Sequence, residues 1–309
     1  MAAGFIIICF GGYSPRSSPF IVHSLAHCPA QSNPSLIAIG KALAPGTGFI
    51  CCLILPGGLI LAVMEKSDPS IASAARIVAI ETSSRIGSVA VACGGRVLGQ
   101  RQFSKAMRHA VELMPAIRDL VREQGWKPRE IDEVYVSAGP GSFTGVRIAI
   151  AIARALQQAI GCRLISVPTV DVLAANAPEQ VKHLAVLLDA KRGQVYAARY
   201  DRDAASGVLH RVQGPLLADP TAFLSQEPHP LYILGEGIDY HRAAIAAAGG
   251  EIRELDKMLW QPHAVMVHKL GLALAQAGAF TNRDALLPIY LRKAEAEEVW
   301  EKRHGVTSV

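Results

Sequence analysis

The chain has 309 residues, 50% of them apolar and 18% charged, with a formal net charge of +5; this is a globular composition with room for two modest cores, and it excludes a disordered chain. The balance shifts along the sequence, because residues 1–63 hold no Asp or Glu, only two basic residues (Arg16 and Lys41) and four of the six cysteines (Cys9, Cys28, Cys51 and Cys52). From Met64 onward 29 basic residues face 26 acidic ones, a balance that gives a polyanion little general attraction, so any RNA contact needs a local patch or a partner.

No residue between Ala42 and Met64 is charged, a length that raises a membrane span, but Pro45, Gly46, Gly48, Pro56, Gly57 and Gly58 interrupt it. A secretory signal is weakly made, since no positive residue precedes the short apolar run at residues 5–10. The expectation is that residues 1–63 are a non-native or disordered leader, that Met64 is the natural initiator, and that no membrane is involved. Cys93 and Cys162 have neither metal-ligand spacing nor a disulfide pattern, which fits a reducing cytoplasm.

Residues 76–83 read as a buried strand, and 87–92 and 96–103 as two more around the turn Cys93-Gly94-Gly95. Val111, Met114, Ile117 and Val121, with Leu113 and Leu120 beside them, predict a helix over 107–124 that Gly125 and Pro128 end. A strand at 133–137, a small-residue loop, a helix over 146–160, a strand at 163–167 and a short helix around 170–176 follow. After Pro178 the order starts again, with strands at 184–189, 194–200 and 208–217, a short helix near Thr221 and a strand at 231–234. A helix near 239–248, a strand at 251–255 and a helix over 263–277 complete it. The repeated order predicts an α/β chain of two lobes, residues 64–177 and 178–292, followed by a tail at 293–309. Each lobe is a mixed sheet flanked by helices, matching the ribonuclease-H-like halves of actin and the sugar kinases.

In such a fold the turn after the first strand of each lobe approaches nucleotide phosphates. Those turns hold Glu81-Thr82-Ser83-Ser84 and Asp189-Ala190-Lys191-Arg192-Gly193, and Gly235-Glu236-Gly237 is a weaker third candidate. Carboxylates suit Mg²⁺ and small residues admit a phosphate, yet neither turn has paired glycines to expose consecutive N–H groups. Glu81, Thr82, Ser83, Asp189, Gly235 and Gly237 are therefore expected to be at most a vestigial nucleotide side, with no cofactor and no metal assigned to this chain.

The loop Ala138-Gly139-Pro140-Gly141-Ser142-Phe143-Thr144-Gly145-Val146-Arg147 enters a helix whose N-terminus favours anions, but it lacks the Gly-Lys-Ser/Thr ending of a Walker loop. A tight turn with Ser142 or Thr144 as N-cap is expected. The helix beyond has one apolar face of Val146, Ala149, Ile150 and Ala153 and a second of Ile148, Ile152, Ala155 and Ala159. It should be covered on two sides, the second cover being either the other lobe or helices of another subunit. The ten histidines are scattered and no Gly-x-Ser-x-Gly elbow occurs; His109, near a helix start, reads as a capping or surface residue.

Residues 77–84 (IVAIETSS), His109 with Leu113-Met114-Pro115-Ala116-Ile117, the stretch 138–147 (AGPGSFTGVR), Val167-Pro168-Thr169, Asp189-Ala190 with Gln194-Val195-Tyr196, and Tyr290-Leu291-Arg292 resemble, in this order, the motifs of the TsaB (YeaZ) family. The resemblance covers residues 76–292 and implies the two-lobed actin-like ATPase fold. The family is paralogous to TsaD, a glycoprotease-like enzyme that transfers a threonylcarbamoyl group to the adenosine 3′ of the anticodon in tRNAs reading codons that begin with A. The metal-binding His-x-x-x-His pair of that enzyme has no counterpart here, where Pro168-Thr169-Val170-Asp171-Val172-Leu173 stands. Glu81 also replaces the more usual Asp. The resemblance thus implies a non-catalytic scaffold that pairs with TsaD through helices of the first lobe. TsaE joins this complex, tRNA is reached through it, and ATP and Mg²⁺ are used by it; whether a homodimer forms when TsaD is absent is left open by the sequence. The expected contact is Leu113, Met114, Ile117, Ile148, Ile152, Ala155 and Ala159. The alternative is an independent actin-like ATPase or small-molecule kinase.

Overall fold

The computed structural model describes residues 74–292 and Arg303 with their side chains, together with the backbone of four strands before them. Those strands are β1 (Ile8–Cys9), β2 (Ile37–Ala42), β3 (Phe49–Leu55) and β4 (Gly58–Met64). β2, β3 and β4 pair antiparallel and β1 pairs parallel with β2. The uncharged stretch before Met64 thus contributes two antiparallel strands, and among the described residues no helix is long and apolar enough to cross a membrane. The remaining expectations about a leader and a tail at 293–309 lie outside the described residues.

Residues 74–309 form a separate compact unit. Its first sheet contains β5 (Arg76–Glu81), β6 (Ser88–Cys93), β7 (Arg96–Gln102), β8 (Glu133–Ser137) and β9 (Arg163–Val167), in the order β7-β6-β5-β8-β9. β5 to β7 run antiparallel, whereas β8 and β9 run parallel to β5. Both faces of this sheet are covered, which is why β5, β6 and β8 read as nearly unbroken apolar runs rather than alternations. Val78, Ile80, Val91 and Val136 face helices α1 (His109–Glu123) and α2 (Phe143–Ile160). Ile77, Ala79, Ala90 and Tyr135 face the other way.

After the short helix α3 (Thr169–Ala174) comes a second sheet of β10 (His183–Asp189), β11 (Val195–Arg202), β12 (Leu209–Ala218), β13 (Leu231–Leu234) and β14 (Ile252–Glu254). Its order, β12-β11-β10-β13-β14, and its strand directions repeat those of the first sheet. The fold is therefore the expected two-lobed, actin-like α/β architecture. Helices α4 (Pro220–Leu224), α5 (Gly237–Tyr240) and α6 (Arg242–Ala247) accompany the second sheet.

Two departures from the expected boundaries have a visible physical cause. α2 begins at Phe143 rather than Val146, because the Ser142 hydroxyl accepts the Gly145 N–H and caps the helix there. The single helix expected over 239–248 is α5 and α6, separated at His241, whose φ/ψ of −125°/24° is not helical and whose Nε2 lies 3.3 Å from Asp189.

Helix α7 (Ala264–Gln276) follows the second sheet in sequence but packs on the free face of the first. The Ala264 N–H donates to Ser88 Oγ at 2.9 Å, satisfying an otherwise orphaned helix donor from a strand of the other lobe. His268 Nε2 lies 2.8 Å from the Gly94 carbonyl. Gly271 lets the helix sink onto Tyr135, since a Cβ there would stand 2.4 Å from the ring.

Candidate functional site

Two surfaces hold the residues singled out from the sequence. On α1, Leu113 and Ile117 are buried with Leu120 and Val121 in the core beneath the helices. They belong to the lobe interior and not to a contact surface, a correction that follows from the helix turning its 113–117–120 side to the sheet. Met114, 44% exposed, and Val111, 59% exposed, look outward instead. On α2, Val146, Ala149, Ile150 and Ala153 are buried, Ile148 and Ile152 are half-buried, and Ala155 and Ala159 are exposed. The second apolar face is real, and among the described residues it is only partly covered. Helices α1 and α2 lie side by side, so Val111, Met114, Ile148 and Ile152 belong to one helical layer.

The second surface is the cleft between the lobes. Glu81, the last residue of β5, is fully buried, and the Ser83 N–H and hydroxyl each donate to its Oε1 at 2.6 Å. Burial raises its carboxyl pKa, although Ser137, Ser83 and the Ser84 backbone oppose that shift. The Thr82 hydroxyl donates to the Gly145 carbonyl at 2.7 Å, and the Ser83 carbonyl accepts the Ser142 N–H at 2.6 Å. Thr82 and Ser83 thus fasten the 138–147 stretch to the end of β5.

Across the cleft, Asp189 at the end of β10 accepts from Lys191 Nζ at 2.6 Å and from the Lys191 N–H at 3.0 Å. Burial alone would raise its pKa, but these bonds and His241 outweigh it and hold the carboxyl below its ordinary range. Arg292 donates to the Ala190 carbonyl and to Gln194, which accounts for the Tyr290-Leu291-Arg292 motif as the strap on this loop. Gly235 and Gly237 do not open towards the cleft. A Cβ at either would stand 2.2 or 2.9 Å from the Leu187 carbonyl, so glycine serves to press this turn against β10.

These loops line a cleft of about 900 Å³. Asp189, which a phosphate-bound Mg²⁺ would draw on, is engaged by Lys191, Glu81 is held by Ser83 through Oε1 while its buried Oε2 finds no partner, and the glycines back onto a strand. The loops therefore do not fit a phosphate cradle. Among the described residues no group of three or more His, Cys, Asp or Glu side chains could hold a metal ion.

His109 departs from the expected surface or capping role. It is buried at the start of α1, with its ring 5.8 Å from that of Phe103 and its Nδ1 beneath Gly87. Burial lowers its pKa, against a smaller opposing effect of the Ser84 backbone and Glu112, and neither ring nitrogen completes a hydrogen bond within the chain. Cys93 and Cys162 are both buried, and burial pushes the Cys162 thiol up to about 11.

Sequence reasoning missed the aromatic wall of the cleft. Phe143, Tyr240 and Tyr290 line it, and only the first and last fell within motifs, where nothing but their positions in three dimensions marks them as neighbours of one cavity.

Residues 103–298 match the family described as TsaD: tRNA N6-adenosine threonylcarbamoyltransferase. The tRNA threonylcarbamoyladenosine biosynthesis protein TsaB of Bacillus subtilis is 29% identical over 227 residues, which are 72% of this chain and 97% of the relative. The protein of the same name from Escherichia coli is 36% identical over 44% of this chain and 58% of its own length. Among solved structures, YeaZ from Pseudomonas aeruginosa superposes with a TM-score of 0.60 at 28% identity, over 70% of this chain and all of that one.

Proposed function

The chain belongs to the TsaD family, within its TsaB/YeaZ group, and from that membership we propose that it serves tRNA threonylcarbamoyladenosine biosynthesis as a non-catalytic scaffold. Its partner in this reading is a TsaD enzyme, with TsaE joining the pair and tRNA reached through the assembly. The threonylcarbamoyl transfer, and the use of ATP and Mg²⁺, then belong to the complex rather than to this subunit, in a cytoplasmic setting.

The observation that carries the reading is the uncovered apolar layer on α1 and α2. Val111 and Met114 are exposed and Ile148 and Ile152 only half-buried, and burying such a layer against two helices of another subunit removes apolar area from water. Met114, Ile148, Ile152, Ala155 and Ala159 remain in the proposed contact, and Val111 joins them. The cleft supports the same reading from the other side: Asp189 is paired with Lys191 and the glycines of the 235–237 turn press onto β10 instead of opening to the cleft, which disfavours the alternative of an independent ATPase or kinase.

Reconstitution tests it. The purified full chain alone should hydrolyse ATP no faster than background and leave tRNA unmodified. Adding it to TsaD and TsaE with ATP, Mg²⁺, tRNA and the threonylcarbamoyl donor should restore modification. Robust ATP turnover by the chain alone would overturn the scaffold.

A further inference from the structure

Among the described residues, the exposed aromatic rings are Phe143, Tyr240 and Tyr290, at 43%, 55% and 46% exposure, and all three stand on the wall of the interlobe cleft. Phe143 and Tyr290 pack on each other and on Arg147, whose guanidinium also donates to the Tyr290 hydroxyl, yet each of the three rings keeps about half of its surface in water. Each ring also carries a cation. The Arg147 guanidinium lies 3.7 Å from the Phe143 ring centre and 5.5 Å from that of Tyr290, and Lys191 Nζ lies 5.0 Å from the Tyr240 ring. Phe143 and Tyr290 have their centres 5.4 Å apart. Arg85, exposed, adds a further positive charge to the lining. Against these stand Asp189, already paired with Lys191, and the carboxyl of Glu236.

Rings that offer π-faces beside guanidinium and ammonium groups are what proteins use to hold unpaired nucleic acid, stacking bases on the rings and placing phosphates near the cations. A free nucleotide needs one ring and a phosphate cradle; here the cradle is missing, and rings come from both lobes, Phe143 from the first and Tyr240 from the second. We infer that the mouth of the cleft binds an unpaired segment of RNA, with bases on Phe143, Tyr290 and Tyr240 and phosphates beside Arg85, Arg147 and Lys191. This inference rests on the proposed role in tRNA modification, and it gives the near-neutral chain the local patch that RNA contact requires.

Fluorescence anisotropy with the full chain and a short labelled single-stranded RNA tests it, with unmodified tRNA as competitor. Phe143→Ala and Tyr240→Ala should each weaken binding roughly ten-fold, and Arg85→Gln should lower the slope of log affinity against log salt by about 0.7. ATP should not displace the RNA. Both rings are exposed, so the variants should keep the wild-type circular dichroism spectrum, and the second protects the test should one misfold. Unchanged affinity in both aromatic variants, or displacement by ATP at concentrations similar to the RNA, would overturn the inference. Reconstituted modification by a chain that binds no RNA sinks this inference and leaves the scaffold standing. Ring-dependent RNA binding by a chain that fails to restore modification upholds it and sinks the scaffold.

Discussion

Gly145 lies against Thr82 so closely that a Cβ at residue 145 would stand 1.9 Å from the Thr82 carbonyl oxygen, while the Thr82 hydroxyl donates to the Gly145 carbonyl at 2.7 Å. The pair joins the first turn of α2 to the end of β5. It gives the glycine of the 138–147 motif a steric reason. Gly145→Ala should destabilise the chain by about 1–3 kcal/mol through forced separation of the two backbones, read as a lower urea midpoint. Thr82→Val, which exchanges the hydroxyl for a methyl, should cost about 1 kcal/mol. Equal effects of the two would contradict a steric origin.

The helical layer gives a paired test. Ile152→Glu places a charge on a half-buried position, so the monomer should fold normally and fail to co-purify with TsaD. Leu113→Glu places one in the core of the lobe and should cost more than about 4 kcal/mol, seen as loss of the cooperative thermal transition. A folded Leu113→Glu protein would mean that α1 turns a different face to the sheet.

How much of this was legible in the sequence depends on what each signal reports. Strands 133–137, 163–167 and 231–234 were bounded by turn residues and by a switch in periodicity, and the structure has them at those positions. Periodicity also found α1, but it gives a stripe, not its destination: Leu113 and Met114 are adjacent, and only the sheet decides which is inside. The break at His241 comes from a contact with Asp189, 52 residues away, and no local pattern carries it. The same holds for the cleft, whose rings at 143, 240 and 290 are gathered by the meeting of the two lobes.

Acid should destabilise the chain through His109. Its pKa is lowered in the folded state, so as pH falls below the ordinary value of about 6.5 the unfolded chain takes up a proton that the native one resists. That stability is fully present above pH 6.5 and is lost on the way down, by at most about 1.4 kcal/mol per pH unit. Glu81, raised in the folded state, works in the opposite sense, its cost growing as pH rises above about 4.5. The comparison is therefore between variants: His109→Leu should flatten the decline between about pH 6.5 and 5 in urea titrations, and an unchanged slope would remove His109 as its cause.

Truncation before Ala264 should unfold the first lobe, although every strand of that lobe lies before residue 168. Without α7, Ile77, Ala79, Ala90 and Tyr135 lose their cover. The shortened chain should bind a hydrophobic dye and lose the protection of β5 amides in hydrogen exchange. Retained protection of β5 would show that the lobe stands alone.

Ser88 and Ala264, joined by one hydrogen bond, are 176 residues apart, and that separation has a consequence on the ribosome. The first sheet emerges early, but its second face stays bare until nearly a hundred further residues have followed β9. At ordinary rates of synthesis the gap is on the order of ten seconds. During that interval the nascent chain presents an apolar surface to chaperones and proteases that the finished molecule never shows. A ribosome stalled in the second lobe would therefore release a fragment marked for degradation rather than a half-sized working domain.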